Sequence, residues 1–366
     1  MNITSNQTSD ILEEIFIDEI YLYGISPASL LFFILNVITL IMLQTNHVQN
    51  SSMNKYIKVY TFVSALICLL IFLNTFSHMP KYIAYSHSYF SRFYTCNIMI
   101  LAGNTLSFFA NIITIVIMVE RLSRFVIVFH SFRNPSPYES AITILWFSFL
   151  TNLGSYYFNR AKSDEKFHQD LQNDFYTLSY CEKTNFGLKN SGRIFFLISY
   201  TINIVMVIGI GLPLCFVSVI YFKRYARKKI LQIRYNNIIQ RASTLYIHER
   251  EIFEMPIIRM NPNPRTFGSI LHYTKQVIYE FNVNLTRMTI AFTLFSVLTS
   301  SISLVLNYYL VYLEYDNKMF VYVNMMNQIA QLIKHGSNFF LLILFNRNFR
   351  KALRHCLSKR TEALDK

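Results

Sequence analysis

The chain has 366 residues, of which 53% are hydrophobic, 16% aromatic and only 15% charged. Because soluble domains carry about 25% charged residues, this composition favours a membrane protein over a soluble one. The net charge of +14 would suggest nucleic-acid binding on a soluble face, but the basic residues stand mostly between and after apolar runs, so we expect no nucleic-acid partner.

Seven apolar segments are long enough to cross a bilayer as helices. The fourth gives the weakest signal because it is short and begins close to Glu139. We therefore predict an all-α fold, a seven-transmembrane helix bundle that occupies residues 23–345. In chain order the segments are Tyr23–Leu43, Ile57–Phe76, Cys96–Val119, Tyr138–Phe158, Ile194–Phe222, Met288–Tyr312 and Phe320–Phe345.

Basic residues outside these segments are distributed unevenly between the two sides of the membrane. With the N-terminus outside, 24 lysines and arginines fall on the cytosolic side, counting Lys58 at the start of the second segment, and 9 fall on the opposite side. The positive-inside rule therefore predicts an extracellular N-terminus at residues 1–22, a cytosolic loop at residues 223–287 between spans five and six, and a cytosolic tail at residues 346–366.

Four asparagines stand in the Asn-X-Ser/Thr pattern that accepts N-linked glycans. Asn2 and Asn6 lie in the predicted extracellular terminus, where glycosylation can occur. Asn50 and Asn284 fall on the predicted cytosolic side and should stay unmodified. A glycan on Asn284 would overturn the predicted orientation.

Two cysteines are predicted to face the oxidising side, Cys96 at the outer end of span three and Cys181 in the second outer loop. A disulfide between them would hold that loop over the mouth of the bundle. Two free thiols are the alternative. Cys68 and Cys215 lie within spans and are expected to be small buried apolar residues.

The tail begins with NRNFRKALRHCL, in which basic and apolar residues alternate at helical spacing. This pattern predicts a short amphipathic eighth helix that lies on the membrane lipid. Cys356 in this segment is a candidate for palmitoylation, and a plain exposed cysteine is the equal alternative.

Span three is interrupted by Asn104, Thr105, Ser107 and Asn111. Polar side chains are costly against lipid, so we predict that this helix lies inside the bundle. Aromatic and amide side chains of spans three, six and seven cluster in the outer half of the bundle. This clustering suggests the hypothesis of a small-molecule binding site there. Interfacial aromatic belts would place the same tyrosines there without any ligand. The candidate ligand-binding residues are Asn104, Thr105, Phe108, Tyr308, Tyr312, Asn324 and Gln328.

Span seven carries a polar stripe at helical spacing, which predicts one face that looks into the bundle. Its residues are Asn324, Asn327, Gln331, Lys334 and Asn338. Lys334 is unusual because no span holds a carboxylate that could pair with it. A hydrated structural cation is the favoured interpretation. A cation-lined route for an acidic ligand, or a part of the coupling interface, is the alternative.

Span three ends at Glu120-Arg121, and the arginine stands 25 residues after Cys96. Asn36 in span one, Trp146 in span four and Pro213 in span five add to a pattern that resembles the rhodopsin-like G-protein-coupled receptors. In span seven, NFFLL occupies the place of the family's NPxxY motif, and the segment NRNFR that follows the span resembles the start of the family's eighth helix.

The chain also departs from that family. Leu122 follows the arginine in place of an aromatic residue, and Ser64 stands where span two usually carries an aspartate, so a sodium site is not expected. Span six lacks the usual Trp and Pro, and span seven lacks the Pro and Tyr of NPxxY. This mixture, with the segment ERLSRFVIVFHSFRNPSPYES, is most similar to the nematode serpentine chemoreceptors of the Sra/Sre-like group.

The resemblance implies a chemosensory receptor in the plasma membrane, with sensory cilia as a candidate location, that couples a small-molecule ligand to a heterotrimeric G protein. It places G-protein coupling at Glu120, Arg121 and Arg124. The position of the retinal lysine of opsins falls on Leu332, so no retinal cofactor is expected.

A transporter or ligand-gated channel subunit is the alternative from another class of protein. It would predict inverted repeats or spans broken by Gly and Pro, and the chain has only 9 glycines. The sequence contains no HExxH motif and no Gly-rich phosphate loop. We therefore expect no enzymatic activity, no cofactor and no metal site.

Overall fold

A computed structural model describes residues 19–44, 52–78, 89–123, 136–161, 181–184, 190–225, 227, 286–309 and 318–364. Several expected features lie outside these residues: the four glycosylation motifs at Asn2, Asn6, Asn50 and Asn284, the coupling residue Arg124, the candidate ligand residue Tyr312, and almost all of the loop at residues 223–287.

Within the described residues, seven long helices fall on the seven predicted apolar segments, and an eighth helix follows them. Five are long and apolar enough to cross a membrane: Ile20–Gln44, Ser52–Thr75, Tyr94–Leu122, Leu197–Tyr225 and Thr286–Tyr309. The helices are α1 (Ile20–Gln44), α2 (Ser52–Thr75), α3 (residues 89–122), α4 (Pro137–Phe158), α5 (residues 190–225), α6 (Thr286–Tyr309), α7 (Lys318–Phe345) and α8 (Arg347–Leu364).

The outer surface of this bundle is apolar. Large hydrophobic side chains are more than half exposed on several helices, including Leu31 of α1, Phe62 of α2, Trp146 of α4, Phe216 of α5 and Leu344 of α7. Soluble monomers rarely expose contiguous apolar surface of this extent, whereas a lipid-facing surface requires it. The chain is therefore a multi-pass membrane protein.

Helix α3 occupies the centre of the bundle, as its polar residues predict. It packs against α2, α4 and α5, and its residues from Phe108 to Ile115 are all buried. Phe109, Ala110, Ile113 and Ile117 of α3 belong to the main hydrophobic core, to which α1, α2, α6, α7 and α8 also contribute.

Helix α5 contains a π-helical segment, Val205–Gly211, two residues before Pro213. Proline has no N–H to donate to the carbonyl one turn earlier, and a wider turn is one way in which a helix accommodates that loss. At Gly211 the helix approaches α6 closely, since an added Cβ would lie 3.2 Å from Val297 Cγ2. The segment thus brings α5 against α6 in the middle of the bundle.

A two-stranded antiparallel sheet is the departure from the predicted all-α fold. Strand β1 (Asn159–Ala161) pairs with β2 (Cys181–Lys183), with Ala161 opposite Cys181. Strand β1 contacts the start of α3, where Asn97 Nδ2 donates to the Tyr156 carbonyl at 3.5 Å. Through its pairing with β1, the backbone of Cys181 is held at the end of the bundle where α3 begins.

Helix α8 is joined to α7 by a polar cap. Asn346 Oδ1 accepts a hydrogen bond from the backbone N–H of Phe349 at 3.1 Å, which is the N-cap arrangement. Arg350 Nη1 donates to the carbonyls of Ile343 and Leu344 at 2.8 and 2.7 Å at the end of α7. Phe349 is fully buried, while Cys356 is exposed.

Gly336 of α7 allows α1 to approach closely. A Cβ added there would lie 2.5 Å from the ring of Phe32, so Gly336→Ala should lower the free energy of unfolding by about 1–3 kcal/mol. Chemical unfolding of the purified protein in detergent measures this change. Gly103→Ala on α3 is the matched control, because its nearest contact would be 3.8 Å from Met99 Cε. Equal stabilities of the two variants would contradict the proposed close contact.

Candidate functional site

The polar faces of five helices meet around one cavity in the middle of the bundle, which we call the central cavity. Its volume is about 30 Å³, enough for about two water molecules. Helices α3, α4, α5, α6 and α7 all contribute side chains. The lining residues are Asn104, Ser107, Asn111, Asn152, Ser199, Tyr200, Asn203, Ser300, Ser303, Leu304, Asn307, Gln331 and Lys334.

Lys334 is the buried cation of this cavity, with only 2% of its surface exposed. Its Nζ donates to Asn111 Oδ1 at 2.6 Å. The same oxygen accepts from Ser300 Oγ at 2.9 Å, and Asn111 Nδ2 donates to Asn203 Oδ1 at 3.1 Å. Asn111 therefore joins α3 to α5, α6 and α7 through one amide group.

A second hydrogen-bond network connects α6 with α7 beside Lys334. Ser303 Oγ donates to Asn327 Oδ1 and accepts from Gln331 Nε2, both at 2.6 Å. Asn327 Nδ2 donates to Asn307 Oδ1 at 2.7 Å, and Ser107 Oγ of α3 donates to Gln331 Oε1 at 3.4 Å. The polar stripe of α7 thus has partners on α6 and α3.

On the other side of α7, polar residues connect it to α1 and α2. Asn338 Nδ2 donates to Thr61 Oγ1 at 2.6 Å. The His335 Nδ1 atom lies 3.0 Å from Ser64 Oγ, and Asn36 Nδ2 donates to the His335 carbonyl at 3.1 Å. The middle of α7 is therefore fixed by hydrogen bonds on two faces, which makes it a rigid support for Lys334.

The Glu120-Arg121 pair lies buried at the other end of α3, with 5% and 2% of the side chains exposed. Arg121 Nε donates to Met53 Sδ of α2 at 2.7 Å. Thr289 Oγ1 of α6 also donates to that sulfur, at 3.6 Å. Helix α6 therefore packs beside the arginine and covers it.

An apolar contact closes this end of the bundle. Met288 and Phe292 of α6 are buried there, against Ile57 of α2 and Ile117 of α3. Only a cavity of about 10 Å³ remains between them and α7. In this arrangement Arg121 is inaccessible.

The candidate ligand residues are distributed more widely than one pocket. Asn104 lines the central cavity, whereas the other described candidates are not among its lining residues. Phe108 is fully buried with its ring 6.0 Å from that of Phe147 in α4, and Tyr308 is 43% exposed beside Tyr309. Of the remaining candidates, Thr105 and Gln328 are buried and Asn324 is half-buried. Their roles in binding stay predictions.

Sequence reasoning missed the residues of α4, α5 and α6 that complete the cavity. Ser296, Ser300, Ser303 and Asn307 recur at intervals of four, three and four along α6, the same spacing that marks the stripe of α7. That periodicity is a signal that could have identified the polar face of α6. The contributions of Asn152, Ser199 and Asn203 are single polar residues in apolar helices, and their spacing gives no comparable signal.

The cavity offers hydrogen-bond donors, amide oxygens and one ammonium group, but no cluster of acidic, histidine or cysteine ligands. Across the part of the chain that the structure describes, no group of three or more such side chains could hold a metal ion. The chemistry that the cavity supports is therefore binding of a polar or charged group.

The described helices form a bundle with a buried third helix and a polar centre, and this fold is like that of a solved rhodopsin. The structure is similar to the "Crystal structure of squid rhodopsin", with a TM-score of 0.54 over 94% of this chain and 86% of that chain. Sequence identity is 13%, so the likeness concerns the fold alone. No protein-family model and no curated protein matches the sequence.

Proposed function

We propose that this protein is a chemosensory G-protein-coupled receptor of the plasma membrane, which binds a small molecule and activates a heterotrimeric G protein. The observation that carries the proposal is the receptor fold along 94% of the chain, together with a Glu-Arg pair buried at one end of α3. The chemosensory part of the proposal, and sensory cilia as a location, are supported by the sequence resemblance to nematode serpentine receptors.

The ligand-binding part of the proposal rests on the central cavity. Helices α3, α5, α6 and α7 each contribute hydrogen-bonding side chains to it, so a ligand there would contact all four at once. A ligand can shift a conformational equilibrium only by binding one state more tightly than another. If α5 and α6 move between the inactive and active states, a ligand that contacts them would bind the two states with different affinities.

The coupling part rests on how α6 covers Arg121. In the described arrangement Met288 and Phe292 are packed against α2 and α3, so the arginine is inaccessible. We propose that this is the inactive arrangement and that an agonist favours a state in which α6 swings outward. The G protein would then contact Arg121, with Glu120 and Arg124 beside it.

The orientation in the membrane belongs to the same proposal. An extracellular N-terminus, glycosylated at Asn2 and Asn6, follows from the distribution of basic residues. It places β1 and β2 outside, where a disulfide between Cys96 and Cys181 would fix the second loop. In support of that pair, the free cysteines of the described residues are Cys68, Cys215 and Cys356, and Cys96 is not among them.

Helix α8 is proposed to lie on the cytosolic surface of the membrane. Its buried side, with Phe349 and Ala352, faces the end of the bundle, and its exposed side carries Lys351 and Arg354. Basic residues at this position attract anionic lipid headgroups. Palmitoylation of the exposed Cys356 would strengthen that attachment.

Expression with a panel of chimeric G proteins tests this function. Cells that carry the receptor are exposed to volatile and water-soluble compounds, and nucleotide exchange on the G protein is measured. We expect at least one compound to raise exchange in receptor-bearing cells and not in cells without the receptor. A compound-evoked membrane current that persists when every G protein is inactivated would contradict the proposal and favour a ligand-gated channel.

A further inference from the structure

We propose that the central cavity binds a small anion, a halide or the carboxylate group of an organic acid, on the ammonium group of Lys334. The inference rests on the proposed receptor function, because it names the chemical class of group that the ligand cavity receives. It reverses the interpretation favoured by the sequence, in which Lys334 is a structural cation.

The charge of the cavity is the first argument. Among the lining residues, Lys334 is the only lysine or arginine, and there is no aspartate or glutamate. The other lining side chains are neutral. Burial of an ammonium group without an opposite charge is costly, because water is lost and no ion replaces it. An anion beside Nζ would restore that balance.

No carboxylate is among the residues that line the cavity. The carboxylates whose side chains the structure describes are Glu19, Glu120 and Glu139, which stand at helix ends. Glu120, the one on α3, is nine residues beyond Asn111, which is about 13 Å along a helix at 1.5 Å per residue. Within the described residues, the lining of the cavity therefore offers Lys334 no negative charge, and an anion would supply it.

The hydrogen-bonding capacity of the cavity is the second argument. An ammonium group has three N–H donors, and the contact of Nζ within the described residues is the one to Asn111 Oδ1. Two donors remain on a side chain that lines the cavity. The side-chain amide of Asn203 lines the same space; its oxygen accepts from Asn111 Nδ2, and its NH2 group can donate to an anion as well.

The size of the cavity limits what can enter. About 30 Å³ accommodates a halide or a carboxylate group but not a complete organic molecule. The rest of an organic acid would extend along α3 from Asn111 toward Asn104, seven residues or about 10 Å away, which lines the cavity as well. An inorganic halide and a ligand carboxylate thus share one site and differ in how far they extend.

The test uses the full-length receptor, purified into nanodiscs of neutral lipid and kept in a buffer whose only anion is a bulky sulfonate. The midpoint of thermal unfolding is followed while chloride, bromide or straight-chain carboxylates of increasing length are added. Neutral amides of the same lengths control for effects of size. We expect a saturable rise of the midpoint with the anions and none with the amides.

Lys334→Met removes the charge and keeps most of the side-chain volume. We expect it to weaken anion binding about 10- to 150-fold, the range that corresponds to the loss of one charge-assisted hydrogen bond. Lys351→Met is the matched control, because Lys351 is an exposed lysine on α8. It should bind anions as the unmodified receptor does, which separates the site from general effects of salt.

The outcomes separate the two sources of the anion. Saturation with halides alone assigns an inorganic ion, and affinity that rises with carboxylate length assigns an organic acid; both support the inference. No saturable shift in the unmodified receptor, which needs no variant to fold, would overturn it. An unchanged affinity in a folded Lys334→Met receptor would overturn it as well.

The same measurements keep this inference apart from the proposed function. Anion binding is measured without a G protein. If the protein binds anions but activates no G protein, the anion site is supported and the proposed receptor function is contradicted. If the protein activates a G protein in response to neutral compounds and shows no anion-dependent shift of the unfolding midpoint, the receptor function is supported and the anion site is contradicted.

Discussion

Replacement of Arg121 by alanine is expected to abolish G-protein activation and to leave the amount of receptor at the cell surface unchanged. The side chain is 2% exposed and lies beneath α6, next to Met53 of α2. If the outward movement of α6 uncovers a contact with the G protein, loss of a buried charged partner should reduce nucleotide exchange at least about 30-fold, which corresponds to about 2 kcal/mol.

Nucleotide exchange and surface labelling are measured on the same cells. Arg347→Ala is the control, because Arg347 is an exposed arginine at the start of α8, outside the contacts around Met53. Arg121→Met serves as a second variant that keeps more of the buried volume and so protects folding. Normal exchange in either Arg121 variant would remove the arginine from the coupling site.

Asn111→Leu is expected to have the largest effect on stability, with a loss of about 3–5 kcal/mol in the free energy of unfolding. The amide oxygen of Asn111 accepts from both Lys334 Nζ and Ser300 Oγ, at 2.6 and 2.9 Å. Leucine fills the space but leaves the ammonium group buried without that acceptor. Chemical unfolding in detergent, at constant anion concentration, measures the change.

Asn104→Leu is the matched control for this substitution. It makes the same chemical change on the same helix at a residue that also lines the cavity, but Asn104 is only half-buried. We expect a change of less than about 1 kcal/mol there. A loss at Asn104 as large as the loss at Asn111 would show that the hydrogen bond to Lys334 is not the cause.

A double-mutant cycle isolates the interaction itself. In the Asn111→Leu/Lys334→Met protein the buried ammonium group is gone, so the combined loss of stability should be smaller than the sum of the two single losses, with a coupling energy of about 1–3 kcal/mol. Strictly additive effects would mean that the two side chains act independently.

The polar stripe of α7 can be recognised from the amino-acid sequence alone. Asn327, Gln331, Lys334 and Asn338 recur at intervals of three and four, and in the structure each makes a hydrogen bond to another helix. Periodicity reports which residues share a face, because the rise and twist of an α-helix are fixed.

The partners of that stripe could not be predicted in the same way. Asn111 meets Lys334 across 223 residues of sequence, and Ser303 meets Gln331 across 28. Such pairs depend on how each helix is rotated and shifted along its axis. Packing of whole surfaces sets that geometry, so no local pattern contains it.

The ends of the helices also differ between the sequence-based prediction and the structure. The second apolar segment is predicted to begin at Ile57, but α2 begins at Ser52 and its first turns, with Met53 and Asn54, are buried. Hydropathy detects the part of a helix that contacts lipid, so a segment predicted from hydropathy ends at the first polar residues. Contacts with α3 and α6 continue the helix further, and they place Met53 beside Arg121.

Hydropathy and helical period are local properties of the chain, so they were enough to predict a multi-pass membrane protein, the positions of its long helices and the polar faces of α3 and α7. The meeting of five polar faces in one cavity around Lys334, and the covering of Arg121 by α6, came only from the folded arrangement. Both depend on contacts between residues far apart in sequence, and those contacts are fixed by the packing of the helices as complete bodies.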